Sequence, residues 1–118
     1  MISIKAEKQF YVDLHVHTRR FSPCAEQLDP ALLAGTMDAR GLHGLVITEH
    51  NAMWRRSELN ELNNDNTDIR IYSGVEISSS RGHFVIIGMD NMNNISAGIE
   101  TERMVEMAQN CGAVVIFV

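Results

Sequence analysis

The residues of this chain best suited to chemistry are four histidines and one glutamate. His15 and His17 stand two residues apart in the run Tyr11-Val12-Asp13-Leu14-His15-Val16-His17-Thr18. His50 follows a second apolar run, Glu76 lies near the end of a third, and His83 opens a fourth. Histidine is the commonest protein ligand for zinc and related divalent ions, and a set of imidazoles with one carboxylate suits Zn²⁺, Mn²⁺ or Fe. A glutamate can bridge two ions through its two oxygens. Two ions roughly 3.5–4 Å apart are a common arrangement for activating water against a phosphate ester. Taken singly, each residue has a plainer role: a solvated strand histidine, a loop histidine capping a helix, a surface carboxylate. The expectation of a metal site rests on the fold bringing them together.

The elements that must do so can be read from periodicity. In residues 11–17, Val12, Leu14 and Val16 alternate with Tyr11, Asp13, His15 and His17. A strand has a side-chain period of 2, so both imidazoles are expected on one face, with Cβ atoms roughly 6.5–7 Å apart. Asp13 is expected on that same face but deeper, as an acceptor that orients a histidine. Residues 1–9 read as a polar lead-in, and residues 19–27 as a loop broken by Pro23. Asp29 and Pro30 open a helix that runs to about Arg40 and is closed by Gly41.

Residues 42–48 form a short, apolar, β-branched run expected to be a buried strand, with Glu49-His50-Asn51 as the loop at its end. A helix over 52–62 and a polar turn over 63–67 follow. In residues 69–77, Ile69, Ile71, Val75 and Ile77 share one face and Arg70, Tyr72 and Glu76 the other. After a turn at 78–82 comes a strand at 83–88, then an Asn- and Met-rich loop at 89–97. A helix over 98–110 places Ile99, Met104, Val105, Ala108 and Cys111 toward the core, and 113–118 is a final strand. His43, on the N-terminal side of its strand, reads as structural. Strands mostly alternate with helices, which predicts an α/β fold with mostly parallel strands. The segments 69–77 and 83–88, joined by a short turn, are either an antiparallel hairpin or tightly joined neighbours. In parallel α/β folds the C-terminal strand ends gather on one rim, where function usually sits.

Length and composition bound the rest. The 118 residues suit one domain, and 45% hydrophobic with 21% charged residues is an ordinary globular balance. A net charge of −5 argues against a general nucleic-acid surface. No apolar run is long enough for a transmembrane helix, and the first residues lack the pattern of a signal peptide, so the expected location is cytoplasmic. Cys24 and Cys111 form no C-x-x-C pair and read as free thiols, Cys111 in the core and Cys24 in a loop near the histidines, where a ligand or nucleophile role is the minor alternative that no partner pattern supports.

Four motifs, D-L-H-V-H-T (13–18), T-E-H-N (48–51), G-V-E-I-S (74–78) and G-H-F (82–84), in this order and spacing, resemble the polymerase and histidinol phosphatase (PHP) domain family. The resemblance covers essentially the whole chain. It implies the N-terminal part of a distorted (β/α)7 TIM-like barrel with up to three divalent metal ions at its C-terminal rim. By motif, His15 and His17 correspond to the first-metal pair, His50 to the histidine of the second motif, Glu76 to the bridging glutamate and His83 to a ligand of the third. The chain departs from the family pattern at three points. Glu49 stands where the family usually has Asp. Ser22 stands where phosphoesterase members often have an Asp ligand. The sequence stops at Val118, before the family's later His-Pro and Asp-x-His motifs, so the domain over 1–118 is expected to be truncated at its C-terminus.

The function this implies is metal-dependent hydrolysis of a small phosphoester, a nucleotide or an oligonucleotide end, by a metal-activated water rather than a side-chain nucleophile. Two alternatives belong to other classes. One is an inactive metal-binding module that needs a partner or a complementary segment, with self-association through exposed barrel edges. The other is a metal-dependent amidohydrolase, against which T-E-H-N and G-V-E-I-S count. The shared strand face of His15 and His17 leads to a direct expectation: the double variant His15→Ala, His17→Ala loses bound divalent metal while remaining folded and soluble. Elemental analysis checks this, and undiminished metal content would remove the pair from the site.

Overall fold

The computed structural model describes residues 9–64, 69–92 and 94–118. Its strands are β1 (Val12–Val16), β2 (Gly44–His50), β3 (Arg70–Ser79), β4 (Gly82–Ile87) and β5 (Val114–Phe117). They form one curled sheet in the order β1-β2-β3-β4-β5. Among the described residues three α-helices accompany it: α1 (Leu33–Ala39), α2 (Arg56–Asn64) and α3 (Thr101–Asn110). Short 3-10 turns occupy Pro23–Ala25 and Pro30–Leu32. Asp29 opens the second of these, accepting from the Ala31 N–H as a cap should, with Pro30 in the first position.

The fold is mixed α/β. β1 pairs with β2 and β2 with β3 in parallel, whereas β3–β4 and β4–β5 are antiparallel. This corrects the expectation of mostly parallel strands and decides the open choice at 69–88 in favour of a hairpin. The reason is connection length. Ser79 pairs with Gly82, leaving only Ser80 and Arg81 between the strands, and a parallel crossover needs a dozen residues or more. Gly82, at φ +133°, supplies the backbone conformation that closes the turn.

Two apolar clusters cover the helix-bearing face. Leu33, Met37, Leu45, Ile47, Trp54, Leu59, Ile69 and Ile71 form the first; Val75, Ile77, Ile86, Met89, Ile95, Met104 and Ala108 form the second. The expected alternation of β3 holds, since Ile71, Val75 and Ile77 are buried while Arg70 and Tyr72 are exposed. Cys111 corrects the reading of α3: it is exposed at the helix C-cap, one step past the last turn that packs on the sheet.

Element ends differ from expectation in ways that matter for the site. β2 begins at Gly44 and continues through His50, so His50 stands on a strand and not in the loop after it. α2 starts at Arg56 and runs through Asn64. The lead-in at 1–8 and the turn residues 65–67 lie outside the described residues. β1 and β5 are the sheet edges among the described residues, and Val12, Leu14, Val114 and Phe117 are exposed there. Among the described residues no helix is long and apolar enough to cross a membrane.

Candidate metal centre

Glu76 is 4% exposed and stands in register with His50 on β2 and Val85 on β4. Four imidazoles converge on its carboxylate. Oε1 lies 2.5 Å from His15 Nε2 and 3.3 Å from His17 Nε2. Oε2 lies 3.0 Å from His83 Nδ1 and 3.2 Å from His50 Nδ1. An ionised carboxylate has about four lone-pair directions, so one ring nitrogen per direction satisfies it. The arrangement is therefore two half-sites joined by one carboxylate. Within each, the ligand atoms of His15, His17 and Glu76, or of His50, Glu76 and His83, lie within 4.8 Å of one another, close enough to hold a metal ion.

The donor chemistry fits a divalent cation: neutral imidazoles and a carboxylate are the ligands such ions take. His17 Nδ1 is buried and has no hydrogen-bond partner among the described residues, and buried polar atoms without partners are uncommon in folded proteins.

Local structure explains how the end of β1 delivers two histidines to one oxygen, His15 from the strand and His17 from one residue past it, since the expected strand over 11–17 ends at Val16. Asp13 pairs with Leu45 and Val16 with Ile47, so three steps on β1 oppose two on β2. This is a β-bulge, a device that re-aims side chains and is frequent beside active sites. It interrupts the strict alternation read from the sequence. Asp13 is displaced from the imidazole face and accepts instead from the His15 backbone N–H at 3.0 Å. It thus positions His15 through the main chain and not through the ring. Past the bulge, Thr48 Oγ1 accepts from the Val16 N–H at 3.0 Å, replacing a ladder bond with a side-chain one.

The other half-site is held by the ends of β2 and β3. Asn51 adopts φ 53°, a left-handed conformation that Asn tolerates. Its N–H donates to the Glu76 carbonyl at 2.8 Å, and its side-chain oxygen accepts from the Ser78 N–H at 3.0 Å. The sheet is close-packed just before Glu76. A Cβ on Gly74 would lie 2.8 Å from the Ile86 carbonyl oxygen, so a larger residue there would push β4 away from β3.

Glu49 has a different task. It is completely buried, and its neighbour across the ladder is Val75 of the core. Its Oε1 accepts from the Thr18 N–H at 2.7 Å and from Ser22 Oγ at 2.8 Å. Its Oε2 accepts from Trp54 Nε1 at 3.0 Å and from Thr18 Oγ1. Ser22 Oγ also accepts from the His50 backbone N–H at 3.1 Å. The longer reach of glutamate is used to clamp the loop after β1 onto the strand that carries His50. Ser22, fully buried, is a member of that clamp.

The electrostatics follow from the geometry. Burial alone would raise the Glu76 pKa, but hydrogen bonds from His83 and His15 and the potential of His50 and His17 outweigh it, so the carboxyl is held below its ordinary 4.5. His17 is held below its ordinary 6.5, first by burial and then by the neighbouring His50, whose ring stacks on it at 4.2 Å.

All five expected ligands, His15, His17, His50, Glu76 and His83, are thus brought into one cluster. His43 lies outside it; its Nδ1 accepts from the Tyr11 N–H at 3.0 Å and anchors the start of β1. Cys24, for which the sequence offered a ligand role only as the minor alternative, comes within metal-binding reach of His17 and His50. Its position in a loop between two strands held no local signal of that contact. No protein-family model matches the chain, and no curated protein matches it.

Two outcomes are expected. Glu49→Gln turns an amide N–H₂ toward groups that are themselves donors and should destabilise the fold by about 1–3 kcal/mol; an unchanged urea midpoint would show that the clamp is dispensable. Acidification should also destabilise the metal-free protein. For both His17 and Glu76 the folded pKa is depressed, so the unfolded chain binds more protons. The His17 contribution is complete above 6.5 and is lost as pH falls through its folded value. The Glu76 contribution is complete above 4.5 and is lost below that. Urea midpoints should therefore fall steadily between about pH 7.5 and about pH 4; a rise on acidification would contradict the assignment.

Proposed function

We propose that this protein is a metal-dependent phosphoester hydrolase of the PHP type. The observation that carries the reading is the Glu76 carboxylate, each oxygen of which meets its own pair of imidazoles. His15, His17 and Oε1 would hold one divalent ion, and His50, His83 and Oε2 a second. The donor set favours Zn²⁺, Mn²⁺ or Fe. When bound, such ions supply Lewis-acid polarisation of phosphoryl oxygens and activation of water. The curled sheet is compatible with part of a distorted barrel, in which β4 is the strand that runs against the others.

The chain's own residues divide the remaining work. Glu76, buried between strands, fixes the spacing of the two imidazole pairs. Glu49, Thr18 and Ser22 hold the β1 loop against β2, so His17 and His50 are set before a substrate arrives. His15 and His83 have the most exposed side chains of the four, 41% and 53%, so a phosphoester would approach over their side of the cluster. A small phosphate monoester, a nucleotide or an oligonucleotide end suits a compact polar site on a chain of net charge −5.

A second reading, a metal-binding module that works by association, is favoured by the exposed apolar residues on the β1 and β5 edges. Turnover separates the two. The chain reconstituted with Zn²⁺, Mn²⁺ or Fe²⁺ should hydrolyse p-nitrophenyl phosphate or a nucleotide panel. Glu76→Gln should lower kcat/KM by more than the roughly 10–100-fold that loss of an outer hydrogen-bond partner costs a metal site. Tight metal binding without phosphoester turnover would favour the module, and hydrolysis of amides alone would favour an amidohydrolase.

A further inference from the structure

We propose that Cys24 is a metal ligand: its sulfur, with one ring nitrogen each from His17 and His50, forms a sulfur–nitrogen cation site. This site shares those histidines with the Glu76 cluster and biases the centre toward Zn²⁺ over harder ions such as Mn²⁺. The inference rests on reading the Glu76 cluster as a metal centre and extends it to a residue outside the four motifs.

The ligand atoms of His17, Cys24 and His50 all lie within 4.8 Å of one another. His17 and His50 stack nearly parallel, 17° apart. Each presents one nitrogen to Glu76, Nε2 of His17 and Nδ1 of His50; the second nitrogen of each ring carries the N–H of the neutral form, so ligation through it while the first serves the Glu76 centre releases that proton to solvent. In His17 that second atom, Nδ1, is the buried nitrogen without a hydrogen-bond partner. A cation bound through it would give that nitrogen a partner.

The loop is already placed for this. Cys24 sits in the turn Pro23–Ala25. The turn follows Ser22, whose side chain is fixed to Glu49 and to the His50 N–H. It is closed by Ala25 N–H to Ser22 O and Leu28 N–H to Ala25 O, both 2.9 Å. Recruiting the sulfur therefore costs little ordering. Thiolate is a soft ligand that suits zinc, whereas carboxylate, carbonyl and water suit Mn²⁺. Cys111, also exposed, belongs to no potential ligand group among the described residues and is an internal control.

Cobalt titration of the wild type, Cys24→Ser and Cys111→Ser tests the proposal, because thiolate bound to Co²⁺ gives a near-ultraviolet charge-transfer band that imidazole and carboxylate do not. The band is expected in the wild type and Cys111→Ser and absent from Cys24→Ser, which still retains cobalt on the Glu76 cluster by elemental analysis. Zn²⁺ should slow iodoacetamide labelling of Cys24 at least tenfold while leaving Cys111 unchanged, and Cys24→Ser should narrow the Zn²⁺-over-Mn²⁺ preference by a similar factor. Bound cobalt without the band, or a band that survives in Cys24→Ser, overturns the sulfur ligand and leaves the Glu76 centre standing. A wild type that takes up no cobalt and no zinc overturns both.

Discussion

A carboxylate removed from water must be surrounded by donors or by cations, because desolvation of the charge is otherwise prohibitive. This protein meets that requirement twice, on neighbouring strands. Glu49 is opposite Val75 and Glu76 is opposite His50 in one parallel ladder, so the two carboxylates leave opposite faces of the sheet. Each oxygen of Glu49 takes two donors, from Thr18, Ser22 and Trp54. Each oxygen of Glu76 takes two imidazoles. Ser22 joins the systems, donating to Glu49 and accepting from the backbone of His50. The loop after β1, the end of β2 and the hairpin are thereby tied to one another through polar contacts centred on two buried carboxylates.

The same contacts account for the pre-organisation of the cluster. Its glutamate comes from β3 and three of its histidines, His15, His50 and His83, from β1, β2 and β4, with His17 one residue past the end of β1, and strands hold side chains more rigidly than loops do. Where regular strand geometry would misplace a group, a local device corrects it. The bulge in β1, with Asp13 bound to the His15 N–H, turns both histidines to one oxygen. Asn51 in a left-handed conformation continues the β2–β3 contact past the ladder. Gly74 lets β4 approach β3 closely, and His83 of β4 meets the carboxylate that His50 also meets.

The candidate ligands were legible because each sits at a strand end and because H-x-H has the strand period. Glu76 stood out through its place among Val75 and Ile77, both completely buried. The errors have physical causes. Asp13 was placed on the imidazole face because alternation was carried through the run, and one extra residue reverses a face. The parallel character of the sheet was overstated because the mostly alternating order of strands and helices suggested parallel pairing, while the two-residue turn before Gly82 forces β4 to reverse. Cys111 follows the helical spacing of Met104 and Ala108, but the helix ends before that spacing can bury it.

Local pattern alone determined which segments are strands, which faces are apolar, and which residues carry metal-ligand chemistry, because those properties depend on side-chain type and on periods of two or 3.6 residues. Only the tertiary structure decided that Glu49 clamps the β1 loop and that Glu76 divides four imidazoles into two pairs. It alone put Cys24 beside His17 and His50. These contacts span up to 61 residues of sequence, and their geometry depends on ladder register, a bulge and loop anchoring, none of which has a local signature in the chain.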